Sequence, residues 1–95
     1  MILEKVKTSQ KYYSVGYCAP VDKYMMAVLV TRVAWYEQYF EISEEEYNSF
    51  DTGALDDLYE QICRIGTSSS RFLFSDKNGE NTKAQLALRD KAYGN

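Results

Sequence analysis

Apolar and polar positions change period several times along the chain, and each change predicts an element. Tyr12, Tyr13, Val15, Tyr17 and Cys18 are good strand formers that end at Pro20, with Gly16 a candidate bulge. Residues 24–33 fit two readings. Val21, Tyr24, Met25, Val28, Leu29, Val33 and Tyr36 fall at helical spacing, yet the run is apolar on both faces and rich in β-branched residues. The second property favours a central strand. From Tyr36 to Ile42 the period is two. Tyr36, Phe40 and Ile42 alternate with Glu37, Tyr39 and Glu41, and Gln38 interrupts the apolar row, which predicts a half-buried strand.

That strand runs directly into a helix start. Ser43 and Glu46 stand at N-cap and N3 of a capping box, and Ile42 and Tyr47 occupy the two positions of a hydrophobic staple. Glu44 and Glu45 face the positive end of the helix dipole. Asp51, Thr52 and Gly53 interrupt the helix. A second helix follows, with Leu55, Leu58, Tyr59 and Ile62 on one stripe, the polar residues Asp56, Asp57, Glu60, Gln61 and Arg64 away from it, and Gly66 as its C-terminal cap. Residues 71–75 read as a strand with Phe72 and Phe74 on one face, and Asn78-Gly79 as a tight hairpin turn. Beyond it, Thr82, Ala84, Leu86 and Leu88 alternate as in a strand, whereas the residue types favour a helix. Both remain open. The expected fold is α+β: a single domain over residues 1–95, with an antiparallel sheet of about three to five strands packed against two helices.

Composition narrows the chemistry. Ninety-five residues support one modest core. No apolar run approaches the roughly 20 residues of a membrane span, and the start lacks the pattern of a signal peptide, so a cytoplasmic location is expected. The two cysteines, Cys18 and Cys63, lack a CxxC spacing and are expected to be reduced core residues, although the sequence leaves a single bridge open. Histidine is absent, which removes the Ser-His-Asp and Cys-His pairs and the usual zinc and neutral-pH acid/base sites. Residues 76–80 resemble the start of a calcium loop, but no glycine follows Glu80 and Ala87 stands where the bidentate glutamate belongs. No cofactor, metal or catalytic residue is predicted, and the chain is not expected to be an enzyme.

Charge is uneven. Between Glu37 and Glu60 lie nine acids with no lysine or arginine among them, leaving five acids against eleven bases elsewhere. Such a segment suits a basic protein partner and disfavours nucleic acid, whose binding relies on Lys and Arg. The chain also has nine tyrosines, four phenylalanines and Trp35, more rings than so small a domain can hide. Tyr and Trp are common interface anchors. The expected contact surface is therefore the row Glu37, Tyr39 and Glu41 with Trp35, Glu44 and Glu45, or a second face formed by Asp56, Asp57 and Glu60.

Residues 24–50, with the stretch Val33-Ala34-Trp35-Tyr36-Glu37-Gln38-Tyr39-Phe40-Glu41-Ile42 followed by Ser43-Glu44-Glu45-Glu46-Tyr47, resemble small immunity proteins of bacterial toxin systems, in particular those of contact-dependent growth inhibition. The resemblance implies a cytoplasmic protein that binds and blocks a cognate toxin domain. Such toxins are often basic nucleases. A second reading, an acidic adaptor or inhibitor of a nucleic-acid-binding protein, rests on charge alone.

Overall fold

The computed structural model describes residues 2–32 and 34–94. Strands β1 (Glu4–Thr8), β2 (Tyr13–Cys18), β3 (Lys23–Val30), β4 (Tyr36–Ile42) and β5 (Phe72–Ser75) form one antiparallel sheet in chain order. Helices α1 (Glu44–Asn48) and α2 (Leu55–Ile65) lie between β4 and β5, and α3 (Lys83–Ala92) follows β5. The architecture is α+β, with a third helix beyond the two expected.

Strand β3 pairs with β2 on one side and β4 on the other, which explains why its sequence is apolar on both faces. The helical spacing in this segment has no structural counterpart, and Val33 lies outside the described residues. On one face of the sheet, Tyr13, Val15, Met26, Val28, Phe40 and Ile42 meet Tyr47 of α1 and Leu55 and Ile62 of α2. On the other, Cys18, Met25, Ala27, Tyr39 and Phe74 are covered by Leu3 and by Leu88 and Ala92 of α3. The sheet is a filling between two helical layers.

The junction at Ser43 forms as its residues dictate. Ser43 Oγ accepts from the Glu46 amide at 3.0 Å, and the Ser43 amide donates to Glu46 Oε1 at 2.8 Å. Ile42 and Tyr47 are both buried beside it. At the C-terminus the capping logic recurs unforeseen. Thr82 and Gln85 make the same reciprocal pair, at 3.2 Å and 2.7 Å, and start α3. The box settles the ambiguous segment as helix, because it satisfies two orphan amides that a strand would not present.

The structure departs from four local expectations. Asn78-Gly79 is not a hairpin turn: residues 78–80 form a single 3₁₀ turn, and Gly79 lacks the positive φ that such a hairpin requires. Phe72 and Phe74 do not share a face. Tyr39 pairs with Phe74 and Phe40 with Phe72, so an extra residue is inserted in β5 and the two rings enter opposite cores. Cys63 is exposed and Cys18 buried, and both are free thiols, so only one is a core residue.

Nor does Gly16 mark a bulge. The irregularity is in β1, between Glu4 and Lys7, where Lys5 adopts φ 52° and its carbonyl accepts the Tyr47 hydroxyl. Gly16 instead makes room for that strand: a Cβ there would lie 2.8 Å from Leu3 Cβ and 2.9 Å from the Glu4 carbonyl oxygen. Gly16→Ala should therefore cost about 1–3 kcal/mol, the usual range for overpacking. An unchanged urea midpoint would show that β1 withdraws without penalty.

Candidate functional site

The structure disperses the acidic segment. Glu37, Tyr39 and Glu41 do share a face of β4, but α3 and the N-terminal residues cover much of it. Tyr39 is only 2% exposed and stacks on Phe74 with ring centroids 4.9 Å apart. Burial raises its pKa, and the nearby Tyr93 hydroxyl adds to the effect. Tyr39 is thus a core residue rather than a contact residue. Glu37 is half-buried, and its Oε2 has neither solvent exposure nor a hydrogen-bond partner among the described residues. Glu41 reaches solvent but pairs with Lys23 at 3.3 Å.

Asp56, Asp57 and Glu60 belong to α2, on the opposite side of the sheet from Glu37 and Glu41. Asp56 accepts from the Tyr13 hydroxyl at 2.6 Å, and Lys11 lies within 3.9 Å of Asp56 and 3.7 Å of Glu60. Burial and the Asp56 carboxylate push the Tyr13 hydroxyl up to about 12. Only Asp57 of the three is fully unengaged among the described residues. Glu44 and Glu45 are exposed in the first turn of α1. The two predicted faces therefore cannot form one surface.

Glu46 is drawn into structure. Arg71 Nη1 and Nη2 donate to its two carboxylate oxygens at 2.8 Å and 3.0 Å, and Nη1 also reaches the Glu41 carbonyl at 3.1 Å. The Arg71 hydrogen bonds hold the Glu46 pKa below its usual value, against the opposing effect of burial. A pKa lowered on folding stabilises the protein above the unfolded value of about 4.3, and that contribution fades as pH falls through the folded value. Glu46→Gln should cost about 1 kcal/mol at pH 7, because the pair is partly solvated, and progressively less as pH falls through the folded pKa. A pH-independent difference in melting would rule out the ion pair as its cause.

Away from α1, the start of β4, the end of β3 and the C-terminal turn of α2 enclose a cleft of about 370 Å³. Its walls include Tyr12, Val30, Arg32, Arg64, Ile65 and Thr67, and Tyr36, Gln38 and Glu80 also line it. Glu80 is already engaged: it accepts from Tyr36 at 2.7 Å, Gln38 at 3.0 Å and Ser75 at 2.8 Å. Burial works to raise its pKa, but those donors keep it lowered, so the carboxylate stays charged. Arg32 and Arg64 are exposed and make no ion pair among the described residues. Lys77 Nζ sits 5.7 Å from the Tyr36 ring centroid.

Two of the cleft's walls, Tyr12 and Ile65, are exposed apolar groups. Tyr12 is 61% and Ile65 53% exposed, and Trp35, next to Tyr36 in the β3–β4 loop, is 74% exposed. None of the predicted contact residues lines the cleft, and Trp35 only adjoins the lining residue Tyr36 in sequence. The sequence contained no direct signal for the cleft, because Tyr12, Arg32, Arg64 and Lys77 are far apart in the chain. Among the described residues no group of three or more His, Cys, Asp or Glu is placed to hold a metal, and no helix is long and apolar enough to cross a membrane. The sequence matches no family model, and neither a curated protein nor a solved structure with significant similarity was found.

Proposed function

We infer that this chain is a protein-binding module that acts as a cytoplasmic immunity protein, neutralising a cognate toxin domain by stoichiometric association. The observation that carries the reading is Trp35. The only tryptophan of the chain stands 74% exposed, immediately before Tyr36, which lines a cleft that also exposes Tyr12 and Ile65. Large aromatic side chains of this kind are the commonest anchors of protein interfaces, where burying them removes apolar area from water.

Two further features support it. Glu44, Glu45, Asp51 and Asp57 make no ion pair among the described residues and are free to steer a basic partner through solvent. The resemblance of residues 24–50 to immunity proteins suggests what kind of partner that is.

Trp35→Ala should weaken the complex at least tenfold, mainly through faster dissociation, with no change in melting temperature because the ring makes little of the core. The measurement is capture of the partner from the native host, followed by binding kinetics at two salt concentrations. Association should slow as salt rises, since screening acts over about 8–10 Å at physiological ionic strength. Failure to recover any protein partner would refute the reading, and an unchanged affinity for Trp35→Ala would move the interface elsewhere.

A further inference from the structure

The tertiary structure gathers positive charge where the sequence displays none. Arg32 ends the β3 side of the cleft and Arg64 the α2 side, and Lys77 lies over Tyr36. Glu80, the sole acid lining the cleft among the described residues, is enclosed by three donors. Strand β4 separates this end from α1, with its exposed Glu44 and Glu45, by about 20 Å at the usual rise per residue. The guanidiniums of Arg32 and Arg64, unpaired among the described residues, thus lie at one end of β4, and the likewise unpaired carboxylates of Glu44 and Glu45 lie at the other, where Lys7 also sits over Tyr47.

We propose that the cleft receives an acidic segment of the partner protein, with carboxylates paired to Arg32 and Arg64 and an adjoining apolar side chain set against Ile65 and Tyr12. The inference rests on the binding-module reading and gives it a partner chemistry. Three arguments select this occupant. Guanidinium groups pair with carboxylates through two parallel hydrogen bonds, and these two lack any acidic partner within the described chain. A volume of about 370 Å³ accommodates a few side chains, near the lower bound of ligand-sized sites. Nucleic acid fits less well, because its binding needs a longer track of cations than three, and the chain is acidic overall, at −3. A partner that carries a basic face toward α1 and an acidic segment toward the cleft would match both ends and be oriented by them.

The test uses the full chain, labelled with ¹⁵N, and three probes: an acetylated hexapeptide alternating aspartate and leucine, its lysine counterpart, and a twelve-residue oligo-dT. The acidic peptide should bind saturably and shift the amides of Thr31, Arg32 and residues 63–67. The double variant Arg32→Glu/Arg64→Glu should weaken it at least tenfold, and Arg32→Gln/Arg64→Gln should do so by a smaller factor if charge reversal perturbs folding. No saturable binding of the acidic peptide, shifts elsewhere on the surface, or equal or tighter binding of the lysine peptide or oligo-dT would overturn the proposal. A captured host partner that binds the double variants as tightly as the wild type would overturn it too, while leaving the binding module and its Trp35 contact standing.

Discussion

Replacing Tyr39 with alanine is expected to cost about 3–5 kcal/mol of folding stability, the range for truncating a buried aromatic ring. Small domains are stable by only about 5–15 kcal/mol, so this single change should leave the protein close to unfolding at ordinary temperature. The physical reason is the second helical layer. Tyr39 shares its core with Phe74, Met25, Ala27 and Ala92, and its ring stacks on Phe74. Tyr39→Phe should recover most of the loss, since only the hydroxyl is removed. Chemical denaturation of the three proteins measures this. A Tyr39→Ala protein as stable as wild type would mean that α3 does not close over this face. Alkali provides a second readout. The Tyr39 pKa is raised on folding, so its contribution is complete below the ordinary tyrosine pKa of about 10 and is lost as pH rises beyond it. Absorbance of tyrosinate should therefore show a fraction that appears only together with unfolding.

Removing the amide of Asn81 should cost about 2–4 kcal/mol and make the protein prone to association. Ser75 is fully buried, and the outer edge of β5 has no further strand to pair with among the described residues. Asn81 substitutes for one: its Oδ1 accepts from the Ser75 amide at 2.7 Å, and its Nδ2 donates to the Ser75 carbonyl at 2.9 Å. The same Nδ2 lies 3.0 Å from the Lys77 carbonyl, tying down the turn between β5 and α3. Asn81→Ala leaves the Ser75 N–H buried without a partner, at about 1–3 kcal/mol, and forfeits the other bonds at about 1 kcal/mol each. It also exposes an edge that invites strand addition from another molecule. Asn81→Asp keeps the acceptor and loses the donor, so it should fall between alanine and wild type. Denaturation curves give the energies, and light scattering on warming reports association. A melting curve for Asn81→Ala that superimposes on wild type would show that water satisfies the edge as well as the amide does.

Local rules made much of this fold readable. The strand at Tyr36 to Ile42, the capping box at Ser43 and the apolar stripe of α2 depend on neighbours within a few residues and appear where expected, although the strand is buried on both faces at Gln38, Tyr39 and Phe40 and not half-buried. The third helix had an equally local signal, Thr82 with Gln85, which the alternation of Thr82, Ala84, Leu86 and Leu88 obscured. The β1 strand was illegible because its five residues, Glu4 to Thr8, carry no apolar row and a bulge breaks their register.

What sequence alone determined was therefore the period of each element, the helix starts, and the presence of more aromatic rings than the core needs. What only the tertiary structure decided was which of those rings are free. Tyr39 and Trp35 are both aromatic residues near β4, yet one is buried and the other 74% exposed. The difference comes from α3, more than forty residues away in sequence, folding over one face of the sheet and leaving Trp35 bare. Charge behaves likewise. The acidic run from Glu37 to Glu60 is contiguous in the chain, but pairing with Lys11, Lys23 and Arg71 divides it between two sides of the sheet. The cationic cleft arises in the opposite way, from Arg32, Arg64 and Lys77 brought near one another by chain crossings. Periodicity registers through neighbours within a turn or a strand, whereas exposure and electrostatic context are sums over everything nearby in space, and that sum exists only once the sheet has its two coverings.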